Sequence, residues 1–417
     1  AGWLGRSEKN NLEWRNVCSK DGGEYTLNLT YITGEARKVN IVVNGEEIQS
    51  LSLNSGGWNI PKTATLTINL HKGVNTIMLC NSNAWMPDID CLVLEKVGSY
   101  DVYEEQVSVL CHKVQKLCES NSIPQGMETV LQEAMEEAKN VENTKDAYDA
   151  AISQLTKLYE DACEAEPVYA KFLTIMDVAK SNAEVTTACD ALDAFVSELN
   201  DFEQKMEVSE TKTDANRVLT SFTVSVKAFL KSKGVQPQEG KAWDMTILIT
   251  NPAFDSDVNG WTGSPTFGHN VAEHYNKNFS TYQTLTGLKN GSYTVMVNAL
   301  YRDGENDGGK AYKEGTEIIP AKFIANDEEK PLVSLYAHPY DGPTDAFGDW
   351  DLKNGYINSM YAASLCFADN QYLNTIETNV TNGRLRIGLK NNGYKGDCWC
   401  CFDNFKFFFQ IMCGELC

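Results

Sequence analysis

Apolar residues change their spacing twice along this chain. From the first residues to about 97 they recur every second position. From about 98 to 235 they recur every three or four positions and glycine nearly vanishes; after 244 the two-residue period returns. A period of two puts alternate side chains on the two faces of a strand, and a period near 3.6 puts them on one stripe of a helix. The chain therefore reads as β, then α, then β: two antiparallel sandwiches on either side of a helical bundle. At 417 residues it has room for two to four domains.

Within residues 1–97, Tyr25, Leu27, Leu29 and Tyr31 alternate, followed by Val39, Ile41, Val43, then Leu66, Ile68, Leu70, then Ile77 and Leu79, and last Ile89, Cys91 and Val93. Asn44-Gly45 between two such runs is a hairpin signal, because both residues tolerate positive φ. Short strands at regular spacing imply a sandwich.

In residues 98–235, Leu131, Ala134, Met135, Ala138 and Val141 form one helical stripe, and Tyr148, Ala151, Ile152, Leu155, Leu158 and Tyr159 another. Pro124-Gln125-Gly126 breaks the run, Asn143 caps a helix with Asp146 at its third position, and Pro167 suits the first turn of another. Five or six helices in antiparallel bundles follow, with a semi-rigid spacer as their role.

Residues 244–411 return to alternation at Tyr293, Val295, Val297, Ala299 and at Leu385, Ile387, Leu389, with Asn-Gly turns between. The run at Phe405, Phe407, Phe408 and Phe409 has the length of a buried strand. A stretch from about Asp303 to Asp351, rich in Gly, Pro, Asp and Tyr, reads as one long loop, functional or mobile.

Charge narrows the function. The formal net charge is −21, so a basic face for nucleic acid or anionic lipid is not expected. No run of apolar residues is long enough to span a membrane. No GxSxG elbow, P-loop or HExxH is present. His112 reads as a solvated helix position, and His269 and His274 as surface residues. The thirteen cysteines lack paired CxxC spacing, so zinc is not expected. Cys80 and Cys91 sit among apolar neighbours and read as small hydrophobes, while Cys398, Cys400 and Cys401 can pair with Cys366 or with the tail. The opening Ala-Gly-Trp-Leu-Gly reads as mid-strand, which implies a preceding segment such as an upstream catalytic domain, or a removed leader.

Sugar binding needs rings that stack on the C–H faces of a pyranose and a few polar groups for its hydroxyls. The first segment has both: Trp3, Trp58 and Trp85 beside turn residues, with Asn83, Asp88 and Asp90 close to Trp85.

Trp3-Leu4-Gly5, Asn11-Leu12-Glu13-Trp14, Gly22-Gly23-Glu24-Tyr25, Val43-Asn44-Gly45, Gly56-Gly57-Trp58, the run His71 to Ile77, and Met86-Pro87-Asp88-Ile89-Asp90 together resemble carbohydrate-binding modules of families 6 and 35. They are similar in particular to modules that end α-galactosidase-like glycoside hydrolases of Bacteroidetes. The resemblance implies a cleft between loops at one end of a sandwich. Its aromatic walls would fall on Trp3 and Trp58, and its Asn or Asp ligand on Asp88 or Asp90. Galactose-containing glycans are the favoured class. The acidic first strand with which that family holds calcium is missing.

Asn251-Pro252-Ala253-Phe254-Asp255 with Gly260-Trp261, Tyr282 to Leu288, Tyr301-Arg302, and Phe402-Asp403-Asn404-Phe405 resemble the jelly rolls of binding-module families 4, 9 and 22. That resemblance implies a structural Ca²⁺ with Asp403 as a ligand. It also implies a ligand face on the aromatic loop of Tyr336, Tyr340, Trp350 and Tyr356, of which Trp350 and Tyr340 are the binding candidates. The expected function is non-catalytic carbohydrate binding in a secreted, cell-surface or periplasmic protein, as the accessory region of a glycoside hydrolase. The alternative is a structural adhesin or filament subunit whose sandwiches make protein contacts.

Overall fold

The computed structural model describes residues 4–7, 10–97, 100–304, 309–393 and 396–411. Trp3, Cys413 and Cys417 lie outside them. The chain divides into two compact units, residues 1–123 with 127–163, and residues 124–126 with 164–417.

The first unit opens with seven strands: β1 (Leu12–Ser19), β2 (Gly23–Thr33), β3 (Arg37–Val43), β4 (Glu46–Leu53), β5 (Gly57–Leu70), β6 (Gly73–Cys80) and β7 (Asp88–Lys96). They form two antiparallel sheets, ordered β1-β6-β3-β4 and β5-β2-β7. Leu27, Leu29 and Tyr31 of β2 are buried with Val39, Ile41 and Val43 of β3, Leu66, Ile68 and Leu70 of β5, and Ile77 and Leu79 of β6. Each such aliphatic side chain contributes about 1.5–3 kcal/mol when fully buried. The β3–β4 hairpin turns on Asn44 at φ 49° and Gly45 at φ 86°. Asn75 is buried beside that turn. Its Oδ1 accepts from His71 N and Asn44 Nδ2 at 2.8 Å each, and its Nδ2 donates to the His71 and Gly73 carbonyls.

β7 departs from the expected alternation. Tyr31 pairs with Ile89 and Thr30 with Cys91, so Asp90 is the extra residue of a bulge. A bulge shifts the side-chain phase by one. Ile89 packs inward before it and Leu92 and Leu94 after it, which leaves Cys91 and Val93 exposed. Cys91 is therefore not the buried small hydrophobe its neighbours suggested.

Five helices follow: α1 (Asp101–Glu119), α2 (Gln125–Lys139), α3 (Lys145–Glu184), α4 (Asp190–Glu207) and α5 (Lys212–Lys231). The division between the two units falls inside α3. The cap of α3 is Thr144, whose Oγ1 accepts from Ala147 N at 3.3 Å, rather than Asn143. Pro167 lies within α3 instead of starting a helix, because α3 runs unbroken for 40 residues. In the second unit Phe195 of α4 stacks on Phe229 of α5 at 3.8 Å.

The second sandwich begins at β8 (Trp243–Asp244). The indole of Trp243 donates to Thr186 Oγ1 at 3.0 Å, and Asp244 exchanges two bonds with Asn182 of α3. Strands β9 (Thr266–Gly268), β10 (Val271–Tyr275), β11 (Phe279–Thr286) and β12 (Gly291–Arg302) precede a short helix α6 (Lys310–Lys313). Next come β13 (Ala321–Ala325), β14 (Glu328–Pro331), β15 (Val333–Ser334), β16 (Leu352–Lys353), β17 (Tyr356–Ile357), helix α7 (Met360–Ala368), β18 (Leu373–Val380), β19 (Arg384–Asn391) and β20 (Trp399–Gln410). One sheet is ordered β11-β19-β13-β14. The other is β15-β12-β20-β10-β9, with β18 also on β12 and β8 also on β20. The expected long loop thus contains the β13–β14 hairpin. Its first strand pairs with β19 and is buried at Ala321, Phe323 and Ala325, so tertiary pairing outweighs weak local signals.

The outer face of the larger sheet has its own apolar cluster. Helix α7 and the chain around Tyr356 cover Val271, Leu300 and Cys401 there. Among the described residues every cysteine is a free thiol, Cys366, Cys398, Cys400 and Cys401 included, so the expected bridge to Cys366 is not formed. No helix among the described residues is long and apolar enough to cross a membrane.

Candidate functional site

In the first sandwich two of the predicted residues, Trp58 and Asp88, lie at one end of the three-stranded sheet. Gly57 pairs with Thr33 and Asp88 with Ile32, so Trp58 and Asp88 flank the last residues of β2 from its two sides. Trp58 is 53% exposed. It is not loose. The Arg37 guanidinium lies 4.6 Å from its ring centroid, a cation–π contact. Arg37 is in turn held by Glu35 at 2.8 Å and by the Met86 carbonyl at 3.1 Å. Gly34 lies against the indole: a Cβ there would stand 2.2 Å from Trp58 Nε1. Ser55, buried, ties the preceding loop to the Thr33 N–H and carbonyl at 2.8 Å each.

Met86 links this seat to the 81–88 loop that carries Asn83 and Trp85. The buried Asn81 shapes that loop, accepting from the Asn83 and Ala84 N–H groups at 3.2 and 3.1 Å. Asn83 is exposed and Trp85 half-buried, with the Arg6 guanidinium 5.4 Å from its ring. Asp88 and Asp90 are both exposed, and Asp90 occupies the bulge. Arg37 and Gly34 were missed in the sequence. A charged residue opening an apolar strand just after a glycine turn was the signal available.

In the second sandwich the candidates separate. Tyr336 and Tyr356 are buried in the outer-face cluster. Tyr340 packs on Phe347 at 5.0 Å and donates its hydroxyl to the Pro343 carbonyl at 2.8 Å. Trp350 is 75% exposed and borders a groove of about 590 Å³. Strand register builds the groove floor. Tyr275 pairs with Trp399, and Trp399 with Arg302, so the three side chains form one row across β10, β20 and β12. Glu273 lies one pleat further along β10. Asp351, Asn358, Ser359, Met360, Tyr361 and His269 complete the lining.

The floor is tightly bonded. Trp399 Nε1 donates to Glu273 Oε2 at 2.7 Å, Arg302 Nη1 to Asn358 Oδ1 at 2.7 Å, and the Tyr275 hydroxyl to Asp397 Oδ1 at 2.9 Å. The Arg302 guanidinium lies 5.4 Å from the Trp399 ring. Burial pushes the Glu273 carboxyl up, opposed by the Trp399 N–H and by Arg302. The signal missed here was a polar or aromatic residue ending each of three adjacent strands.

His274 faces the interior, not the surface. It stacks on Phe279 at 4.2 Å, meets Thr281 Oγ1 at 2.5 Å, and is pushed down to about 3 by burial, so it is neutral. Asp403 is also buried, its carboxyl pushed up to about 8 by burial and by Asp255, against the Asn404 N–H. Its Oδ1 has no hydrogen-bond partner among the described residues. Nearby, the Phe405 N–H donates to the Pro252 carbonyl at 2.9 Å, which joins the Asn-Pro-Ala-Phe opening to the closing strand. Among the described residues no three His, Cys, Asp or Glu side chains form a metal-holding group.

Residues 5–97 match the model of carbohydrate binding module family 35. Among solved structures, a family 35 module from Clostridium thermocellum is 29% identical, with TM-score 0.22, over 22% of this chain and 76% of that one. A family 35 module from Cellvibrio japonicus is 28% identical, with TM-score 0.19, over 20% and 63%. An exo-beta-1,3-galactanase from Phanerochaete chrysosporium is 28% identical, with TM-score 0.20, over 22% of each chain. No curated protein matches the chain.

Proposed function

We propose that this chain is a non-catalytic, glycan-binding region that serves a glycoside hydrolase, secreted or at the cell surface or periplasm. The observation that carries the reading is Trp58: an exposed indole fixed on Arg37 and Gly34, inside the stretch that matches a carbohydrate-binding family. A rigid exposed ring stacks on a sugar with little ordering cost. In this reading Asp88, Asn83 and Trp85, on the stretch tied to Arg37 through the Met86 carbonyl, would take hydroxyls and a second sugar face. Galactose-containing glycans are the first class to test, on the strength of the motif resemblance. A structural Ca²⁺ at Asp403 is part of the proposal. Its support is the buried, unpartnered Oδ1 with Asp255 close by, and further ligands would have to be carbonyls.

The test is isothermal titration of the chain with galactose-, xylose- and mannose-type oligosaccharides, beside Trp58→Ala. Heat that disappears in the variant supports the reading. Equal heat in both forms removes Trp58 from the site, and no heat with any of the three classes removes the glycan-binding reading.

A further inference from the structure

We propose that the groove on the outer face of the second sandwich is a separate binding site for an uncharged, pyranose-containing glycan. The glycan reading above supplies only the ligand class; the site stands on its own geometry.

Two features mark the groove as built for a ligand. The first is its exposed rings. Trp350 and Tyr275 are 75% and 49% exposed, at the lip and on the floor respectively. Two exposed rings bordering one concave polar floor offer the apolar surface that a ligand can cover. The second is Arg302. It is 7% exposed; its guanidinium donates to Asn358 Oδ1 at 2.7 Å and to the Asp397 carbonyl at 3.4 Å, no carboxylate among the described residues stands within ion-pair distance, and its Nε has no hydrogen-bond partner among them. A buried guanidinium donor left without a partner costs about 1–3 kcal/mol, which folding alone does not require.

The chemistry of the floor selects the ligand. Glu273, locked by the Trp399 N–H, is a fixed acceptor. Arg302, locked by Asn358, is a fixed donor close to it on the same sheet face. An acceptor beside a donor matches a pair of neighbouring hydroxyls, each of which gives and receives. With Glu273 and Asp351 against the single Arg302, the groove holds no positive excess to favour a carboxylated sugar, and its paired acceptor and donor match hydroxyls. A volume near 590 Å³ is within the range of small-molecule sites. Trp350 and Tyr361 would then cover the apolar faces of the ring from the walls.

Affinity electrophoresis of the full chain tests this, in gels holding galactan, xylan, mannan, mixed-linkage glucan or polygalacturonate. The forms compared are wild type, Trp58→Ala, and Trp58→Ala combined in turn with Trp350→Ala, Tyr275→Ala or Glu273→Gln. Both added alanines replace exposed rings, and thermal melts verify that each form is folded. The expected result is retardation of Trp58→Ala in at least one neutral gel, lost in each combined form, with none in polygalacturonate. Free mobility of Trp58→Ala in every gel overturns the site, and if wild type is retarded the Trp58 reading survives alone. Retardation indifferent to Trp350→Ala and Tyr275→Ala also overturns the site. Retardation by polygalacturonate only overturns the ligand class.

Discussion

Trp399 and Glu273 are 126 residues apart and are joined by a 2.7 Å hydrogen bond from indole to carboxylate. The bond sets both the direction of the carboxylate and its charge, since burial pushes the Glu273 carboxyl up and the N–H opposes it. Trp399→Phe keeps an aromatic side chain, though a smaller one, and removes the donor. Glu273 then rises further. A raised folded value means that the stabilising contribution is full below the unfolded carboxyl value and declines as pH rises through the folded one. The variant should show a packing deficit near pH 4 and fall behind by about 1–2 kcal/mol more at pH 7. Denaturant unfolding at the two pH values measures it; an equal deficit at both would mean that the bond carries no charge dependence.

The seat of Trp58 makes a second expectation. Trp58→Ala removes a half-exposed ring and its contact with Arg37, so stability should change by no more than about 1 kcal/mol while binding is lost. Gly34→Ala leaves the indole in the chain but places a methyl 2.2 Å from its Nε1, so the ring must move. Binding should fall in that variant too, with altered tryptophan fluorescence. Binding unaffected by Gly34→Ala would show that the ring does not need its seat. Arg37→Lys should not restore full affinity, because an ammonium cannot both lie flat beneath the ring and reach Glu35 and the Met86 carbonyl.

How far the sequence foretold these sites depended on what produced each feature. The alternation at Leu27, Leu29 and Tyr31, the hairpin at Asn44-Gly45 and the strand at Phe405–Phe409 were legible because local pattern and burial agree there. Asp90 in its bulge was not, because a bulge is a property of pairing with Thr30 and Tyr31, not of its own neighbours. The row Tyr275–Trp399–Arg302 was hidden for the same reason: only strand register brings those residues together. Pro167 misled in the opposite direction, since tertiary packing carried α3 through a residue that locally signals a start.

Two buried groups should shape the pH profile of the second unit from opposite sides. His274 is pushed down to about 3, so its contribution is present above its usual value near 6.5 and is lost as pH falls toward 3. Asp403 is pushed up to about 8, so its contribution is present below about 4 and is lost as pH rises through 8. In chelator, melting temperature should decline from pH 5 to pH 8, and Asp403→Asn should flatten that decline. Calcium added at pH 8 should restore the wild-type melting temperature and leave Asp403→Asn unmoved. A wild type indifferent to calcium would remove the ion and leave a protonated carboxyl in its place.

Thiol reactivity should divide the cysteines by depth. Cys18 and Cys91 are exposed, whereas Cys400 and Cys401 are buried and held well above the usual thiol value by burial. The thiolate is the reactive form. Iodoacetamide applied to the native chain should modify Cys18 and Cys91 within minutes and leave Cys366, Cys400 and Cys401 unmodified until denaturant is added. Peptide mapping by mass spectrometry reads each site. Native labelling at Cys401 would mean that the outer-face cluster under α7 opens.

Pro167 offers the last test. It is exposed, lies inside α3, and lacks the N–H that would bond back to the carbonyl of Cys163. A proline inside a helix costs about 3 kcal/mol relative to alanine, less where the helix bends to accommodate it. Pro167→Ala supplies the missing donor and removes the ring from the preceding turn. Unfolding free energy should rise by about 1–3 kcal/mol, while glycan binding through Trp58 stays unchanged. Loss of stability would instead mean that the break in hydrogen bonding at Cys163–Pro167 is a shape the helix requires.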